Sequence, residues 1–314
     1  PDPERVRNVA ADLLVSNGFF EIMNNSLTKS DYYAKLKTYP ESNLVRILNP
    51  LSSDLNCMRQ TLLLSGLEVI AYNVNRQQSD LKLFELGNVY SILGESDLSV
   101  ADSYKEQAKM SIFVTGPGSL SWKGGTGCSS YFLLKGYLEL LLGRFGVELS
   151  DLSYSAAPAD IFAEGLVYRT NGEKELAVMG TVNPHLLRQF GIKQPVYAAE
   201  LSWSVLFNLV KRQKVMYKEL PKFPEVKRDL ALLVDEKVSF AELRNLALKT
   251  EKKLLKQVTL FDVYRGDKIP QGKKQYAMSF ILQNLEKTMK DEDVEFTMNK
   301  LLNAFVSQFG ASLR

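Results

Sequence analysis

The sequence predicts an α+β protein in which a mainly antiparallel sheet with flanking helices is followed by a smaller α+β domain. Segments with strand-like alternation are joined by hairpins or long helical excursions, without a regular strand–helix–strand repeat. The last third of the chain instead has the order strand, helix, strand, strand, helix, strand. A chain of 314 residues has room for about two domains.

Apolar periodicity and turn residues predict the elements of the first domain in order. Helices are expected at 4–16, 58–75, 129–145, 184–191 and 203–212, and strands at 19–23, 45–48, 81–90, 107–115 and 196–201. Residues 161–182 are predicted to form a hairpin around Asn171-Gly172. The spacing Thr28-Lys29-Ser30-Asp31 is typical of a capping box. The glycine-rich stretch 116–127 lacks the Gly-Lys-Ser/Thr of a phosphate-binding loop, which favours a flexible connector.

The second domain is predicted to begin after a polar stretch, giving domains at 1–216 and 217–314. Its strands are expected at 230–234, 258–264, 276–283 and 311–313, and its helices at 240–256 and 291–309. This order is that of a ferredoxin-like βαββαβ domain, in which both helices cover one face of the sheet. The other face stays open, where RNA is often bound.

Charge, cysteine and histidine content and the length of apolar runs indicate the kind of partner and the cellular compartment. From Tyr217 onward the chain has 18 Lys and Arg against 14 Asp and Glu, although its net charge is only +3. The basic excess therefore lies in the last third and favours a nucleic-acid partner there. Cys57, Cys128 and the single His185 form no recognisable disulfide framework or zinc site, which favours a reducing cytoplasm. No apolar run is long enough to span a membrane.

The most informative stretch is 258–282, two predicted strands joined by a basic loop. Strict alternation would place Val258, Leu260, Asp262 and Tyr264 on one face of the first strand. A carboxylate and a phenol close to several cations suit a surface that binds bases and phosphates. The loop cations that we predict as phosphate contacts are Arg265, Lys268, Lys273 and Lys274.

Several runs of residues resemble one known family. In the second domain these are FPEVKRDLALLV (223–234), LFDVYRG (260–266), IPQGKK (269–274) and GASLR (310–314). They resemble the ferredoxin-fold anticodon-binding domain that ends the β subunit of bacterial phenylalanyl-tRNA synthetases. In the first domain, NPLS (49–52), MRQTLL (58–63), LFELG (83–87), LKG (134–136) and Gly180-x-x-x-Pro184 resemble the class II synthetase-like core of the same subunit.

The resemblance implies where the anticodon of tRNA-Phe would bind. Carried over residue by residue, the contacts fall on Ala231, Asp262, Tyr264 and Gln275. The family often has Ser at the position of Gln275, which makes that contact the least secure. Asp262 would accept hydrogen bonds from a guanine edge, and Tyr264 would offer a ring for base stacking.

The resemblance also implies that the core is catalytically silent and supports a catalytic α subunit. The segment from Gly180 to Pro184 lacks the Gly-x-Gly-x-x-Arg pattern of an active class II core. No cofactor is therefore expected in this chain, whereas the whole enzyme would use ATP and Mg²⁺. The implied partners are tRNA-Phe and the α subunit in an α2β2 assembly in the cytoplasm, with no membrane or DNA partner. We predict that residues 58–67 or the helix after Ser129 contact the α subunit.

Other interpretations stay open at this point. Tyr264 could be an exposed strand aromatic, and Asp262 could form a surface ion pair with Lys273 or Lys274. Glu85 could be a vestigial catalytic carboxylate, but we favour a buried acid paired with Arg59 or Arg76, because unpaired burial is costly. The whole chain could be a stand-alone RNA-binding protein or an active small-molecule ligase. The absence of an initial Met leads us to expect a part of a longer subunit instead.

Overall fold

The computed structural model describes residues 2–93, 103–118, 129–212, 217, 219–266 and 269–313. The chain divides into two compact units, Pro1–Val215 and Met216–Arg314. Most of the glycine-rich stretch 116–127 and the predicted phosphate contact Lys268 lie outside the described residues. Within the described part, no helix is long and apolar enough to cross a membrane.

The first unit is built on a seven-stranded sheet with the order β1-β4-β5-β9-β8-β7-β6. Its pairings are antiparallel except for β1 with β4, which confirms the predicted mainly antiparallel sheet. A separate pair is formed by β2 and β3. The strands are β1 Phe20–Glu21, β2 Leu27–Thr28, β3 Cys57–Met58, β4 Leu81–Ile92, β5 Tyr104–Thr115, β6 Leu152–Ala156, β7 Phe162–Thr170, β8 Glu175–Val182 and β9 Val196–Ser202. The helices are α1 Pro3–Ser16, α2 Leu63–Val74, α3 Tyr131–Arg144, α4 Pro184–Gln189 and α5 Trp203–Arg212.

Both faces of this sheet are covered by apolar side chains. Phe84 and Ile112 belong to a core that includes residues of α1, α3 and α5. Their neighbours Leu83 and Phe113 point the other way and pack with α2. Since alternate residues of a strand face opposite sides, β4 and β5 contribute to both cores, which explains the adjacent apolar residues Leu83-Phe84 and Ile112-Phe113.

The N-terminal part of the predicted helix 58–75 and the predicted strand 45–48 are wrong. Met58 belongs to β3 and its N–H donates to Val45 O at 2.8 Å, so α2 begins only at Leu63. The strand is reduced to one bridge between Arg46 and Cys57. Thr28 does not cap a helix either, because it lies in β2 and a short 3₁₀ turn begins at Ser30 without a side-chain cap. Tertiary pairing outweighs local propensity in this segment.

The hairpin at 161–182 forms, but its turn is longer than the predicted Asn171-Gly172. The Thr170 N–H donates to Lys174 O, and Glu173 adopts the left-handed conformation with φ 57°. Gly172 is not the residue with positive φ. The edge strand β6, which precedes the hairpin in the chain and pairs with β7, was not predicted.

A buried ion pair joins two of the motifs found in the sequence. Arg59 Nη1 lies 2.6 Å from Glu85 Oε1, and both side chains are less than 5% exposed. Asn24 Nδ2 donates to Glu85 Oε2 at 2.7 Å, and Arg59 Nε donates to Asn88 O at 3.0 Å. The prediction that Glu85 is a buried acid paired with Arg59 is confirmed. Arg76 instead lies over the Tyr72 ring.

A second buried carboxylate, Glu200, lies on the same sheet face as Glu85. The register aligns Glu85 with Ser111 and Ser111 with Glu200, so the three residues form one row across β4, β5 and β9. Glu200 accepts hydrogen bonds from the Thr61 hydroxyl and the Leu62 N–H, and its other oxygen lies 2.5 Å from Lys109 Nζ. Burial alone would lower the pKa of Lys109, but the Glu200 carboxylate raises it above the ordinary value.

Replacing Glu85 by Ala should lower the free energy of unfolding by about 3 to 5 kcal/mol, because Arg59 would stay buried without its carboxylate. Urea unfolding of the chain measures the loss. Glu41→Ala is the matched control, since Glu41 forms an exposed ion pair with Arg46 at 3.8 Å and should change stability by less than about 1 kcal/mol. Equal losses in both variants would contradict a special role for the buried pair.

The second unit contains a four-stranded antiparallel sheet with the order β11-β12-β10-β13. This arrangement confirms the predicted ferredoxin-like domain. Its α6 ends at Thr250 rather than at 256, because the Glu251 carboxylate accepts the N–H groups of Lys253 and Leu254 and the chain enters β11 at Leu255. The elements are β10 Val226–Asp235, α6 Phe240–Thr250, β11 Leu255–Tyr264, β12 Lys273–Leu282, α7 Asp291–Phe309 and β13 Ser312–Leu313.

Both helices of the second unit pack on one face of this sheet. Leu243 of α6 and Phe305 of α7 belong to one buried core with Leu232, Met278 and Phe280 of the strands. Alternation along β12 therefore assigns Ala277 and Gln275 to the opposite face. We call that opposite side the open face.

Candidate nucleic-acid interface

The predicted anticodon residues lie in two neighbouring rows of the open face. Ala277 of β12 pairs with Asp262 of β11 on one side and with Ala231 of β10 on the other. Gln275 pairs in the same way with Tyr264 and with Leu233. Paired residues of an antiparallel sheet point to the same face. The structure thus brings together Ala231, Asp262, Tyr264 and Gln275, which lie far apart in the sequence.

A β-bulge brings Asp262 and Tyr264 to the open face. Leu260 pairs with the buried Met278, but Asp262 already pairs with Ala277, and the register shifts between them. Phe261 is the extra residue and is 60% exposed. The prediction that Val258, Leu260, Asp262 and Tyr264 share one face is therefore wrong. Val258 and Leu260 face the helices, and the bulge turns the next two side chains outward.

In these rows, exposed polar side chains lie beside the small side chains of two alanines. Asp262 is exposed, and Tyr264 is 38% exposed. Ala231 and Ala277 between the outer strands are half-buried and have only methyl side chains. A planar group could therefore approach the strand backbone beside Asp262. Within the described residues, no ion pair links Asp262 to Lys273 or Lys274.

Gly266 supports the Tyr264 ring. A Cβ atom added at Gly266 would lie 2.5 Å from Tyr264 Oη and 2.6 Å from Cζ. Such distances are far below van der Waals contact, so the glycine leaves the space that the phenol end occupies. The local sequence Tyr264-Arg265-Gly266 therefore fixes where the ring can lie.

The structure separates the predicted phosphate contacts. Arg265 is 63% exposed on its side chain and lies 3.4 Å from Glu236, and Lys273 is exposed at the start of β12. The predicted phosphate contact of Lys274 does not agree with the structure. This residue is only 5% exposed, and its Nζ donates to Glu236 O at 2.7 Å. The strand begins at Lys273 rather than at Tyr276, and alternation turns Lys274 toward the helix side with Tyr276. Lys274 is therefore a structural residue.

One polar row of the open face was not predicted. Ser279 donates a hydrogen bond to Asp229 across the strands, and Thr259 pairs with Ser279 from the other side. This row lies next to the row of Asp262 and Ala231. Asp229 stands beside Arg228 in the sequence, and only the strand register shows that its partner is Ser279.

The two adjacent lysines should behave differently when replaced. Lys274→Ala should lower the free energy of unfolding by about 1 to 3 kcal/mol, because a buried charged hydrogen bond and its packing on Tyr276 are lost. Lys273→Ala should change it by less than about 0.5 kcal/mol, as is usual for an exposed side chain. Chemical denaturation of both variants measures the difference, and an unchanged Lys274→Ala would contradict the placement of this lysine.

The described residues contain no group of three or more His, Cys, Asp or Glu side chains that could hold a metal ion.

Comparison with solved structures shows a likeness of fold. The fold is similar to that of pyrrolysyl-tRNA synthetase from Desulfitobacterium hafniense, with a TM-score of 0.51 over 67% of this chain and 70% of that chain, at 12% identity. A mainly antiparallel sheet with flanking helices of this kind is thus a fold that this chain shares with an aminoacyl-tRNA synthetase of class II.

Sequence comparison is more specific. Residues 2–203 match the family described as the phenylalanyl tRNA synthetase beta chain CLM domain, and residues 221–314 match the ferredoxin-fold anticodon binding domain. The phenylalanine–tRNA ligase beta subunits of Bacteroides fragilis and Porphyromonas gingivalis are 46% and 43% identical over 99% and 98% of this chain. The chain belongs to the family of phenylalanine–tRNA ligase beta subunits. It spans 38% of the length of these two relatives.

Proposed function

We propose that the second unit recognises the anticodon of tRNA-Phe as part of a phenylalanine–tRNA ligase. The observation that supports this most directly is the row Asp262–Ala277–Ala231 on the open face, with Tyr264 beside it. These residues belong to a domain that matches an anticodon-binding family. A sheet that only had to cover a core would not need the carboxylate of Asp262 and the phenol of Tyr264 on its open face.

Each group of the interface has a chemical role in this proposal. The Asp262 carboxylate accepts hydrogen bonds from the N–H groups of a guanine edge, and the Gln275 amide can both donate and accept. Tyr264 stacks on a base, and such stacking is worth about 1 to 3 kcal/mol per base. Arg265 and Lys273 contact phosphates, which orients the RNA without specifying its sequence.

The first unit serves as a scaffold in the same proposal. Its buried charges are already bonded to one another, as Arg59 is to Glu85 and Lys109 is to Glu200. ATP and Mg²⁺ then act at a catalytic α subunit within a cytoplasmic α2β2 assembly, and this chain alone does not attach phenylalanine to tRNA. Pyrophosphate exchange by the purified chain in the presence of ATP and phenylalanine would contradict this part.

The two segments that we predict to contact an α subunit differ in the exposure of their apolar side chains. Leu62, Leu63, Leu64 and Leu67 are at most 2% exposed, so the predicted segment 58–67 uses its leucines in its own core. The helix α3 still exposes Phe132 and Leu140. We propose that α3 contributes to the contact with the α subunit. Phe132→Glu should then weaken co-purification with the α subunit.

Asp262→Ala and Tyr264→Ala should each weaken binding of the tRNA-Phe anticodon stem-loop by about tenfold, because each removes one base contact. Fluorescence anisotropy at fixed salt measures the dissociation constant, with a scrambled-anticodon loop as reference. Both variants should reduce the preference for the native loop. Phe296→Ala is the control, since Phe296 is exposed on α7, on the other side of the sheet. A preserved preference in both site variants would contradict the proposal.

Gly266→Ala should weaken the same binding without removing any contacting group. The added methyl would overlap the phenol end of Tyr264, so the ring must leave its position. We expect a loss of about fivefold or more that disappears in a Tyr264→Ala background, since the two changes act on one contact. An additive loss in the double variant would show that Gly266 acts independently of Tyr264.

A further inference from the structure

A polar cavity of about 320 Å³ lies in the first unit, beside the buried ion pair of Arg59 and Glu85. All of its lining residues belong to the first unit. The residues that matter for its chemistry are Arg7, Arg59, Glu85, Gly87, Lys109 and Trp203. A cavity of this size suits a small molecule rather than a polymer.

Three cations line this cavity, and two of them are paired with the carboxylates Glu85 and Glu200. Arg7 is exposed on α1, and its Nη2 donates to Leu86 O at 3.1 Å. Arg59 is held by Glu85 and by Asn88 O, and both of these residues also line the cavity. Lys109 is fixed by Glu200, and its side chain remains 18% exposed. With both carboxylates counted, the three cations leave an excess of one positive charge beside the cavity.

The buried cations keep donors for a further acceptor. Glu85 and Asn88 O take two nitrogens of the Arg59 guanidinium, and the third, Nη2, lies against Gly87, where a Cβ would be 2.4 Å away. An ammonium has three donors, and Glu200 accepts from Lys109. Because the carboxylates already hold both cations in place, an incoming anion would need little reorganisation of the site.

We propose that this cavity binds a compact oxyanion, a carboxylate or a phosphate group of a small molecule, through Arg7, Arg59 and Lys109. Trp203 and Leu86 lie beside the cations and give the rest of the ligand an apolar surface. Gly87 is required because a side chain at this position would displace the Arg59 guanidinium.

Tryptophan fluorescence tests the proposal, since Trp203 lines the cavity. Trp122→Phe removes the other tryptophan of the chain. The full chain in this background is titrated with inorganic phosphate and, separately, with benzoate, at constant ionic strength in chloride. We expect saturable binding of at least one anion with a dissociation constant below about 1 mM, and no response to benzamide. A response to phosphate alone assigns a phosphate ligand, and tighter binding of benzoate assigns a carboxylate.

Two arginines of α1 provide the matched comparison. Arg7→Gln should weaken anion binding by about fivefold or more, because a charged hydrogen-bond donor is lost. Arg5→Gln, at an exposed position of the same helix but outside the cavity lining, should change it by less than about twofold, as expected for a solvent-screened charge that does not contact the ligand. Non-saturable titrations with both anions, or equal losses in the two variants, would overturn the proposal.

Discussion

The candidate interface depends on the β-bulge at Phe261. Before the bulge, β11 turns Val258 and Leu260 into the core beneath the helices, and after it Asp262 and Tyr264 face outward. Without the extra residue, the same alternation would place a carboxylate and a phenol against the apolar core, where an unpaired charge is costly. The exposure of Phe261 is the local consequence. The bulge thus allows one short strand to serve both the core and the open face.

In the first unit, by contrast, several polar side chains are buried together within the sheet. Glu85, Ser111 and Glu200 form one row, and each glutamate is paired with a cation from a neighbouring segment. The Ser111 hydroxyl between them has no hydrogen-bond partner within the described residues. Buried ion pairs contribute little net stability, but breaking one is strongly destabilising. We interpret the row as a device that fixes Arg59 and Lys109 in position, which links the scaffold to the cavity beside them.

Much of this account could be predicted from the sequence, because periodicity and composition report on local structure. The order of elements, the two-helix cover of the second sheet and the pairing of Glu85 with Arg59 were all accessible. The bulge was not, since residues 258–264 alternate without any glycine or proline to indicate a break. Lys273 and Lys274 are neighbouring lysines that the sequence alone does not distinguish. Which of them is buried depends on the residue at which β12 begins. The β2–β3 pair and the row of Asp229 with Ser279 likewise depend on register between distant segments.

Crosslinking tests the central claim most directly, because it locates the RNA without any substitution in the protein. A tRNA-Phe anticodon stem-loop with 6-thioguanosine in place of the anticodon guanosine would be irradiated on the full chain, and the crosslinked peptides identified by mass spectrometry. We expect crosslinks to β11 and β12, at the open-face residues around Asp262, Tyr264 and Gln275. Crosslinks confined to α6 and α7, on the covered side of the sheet, would contradict it.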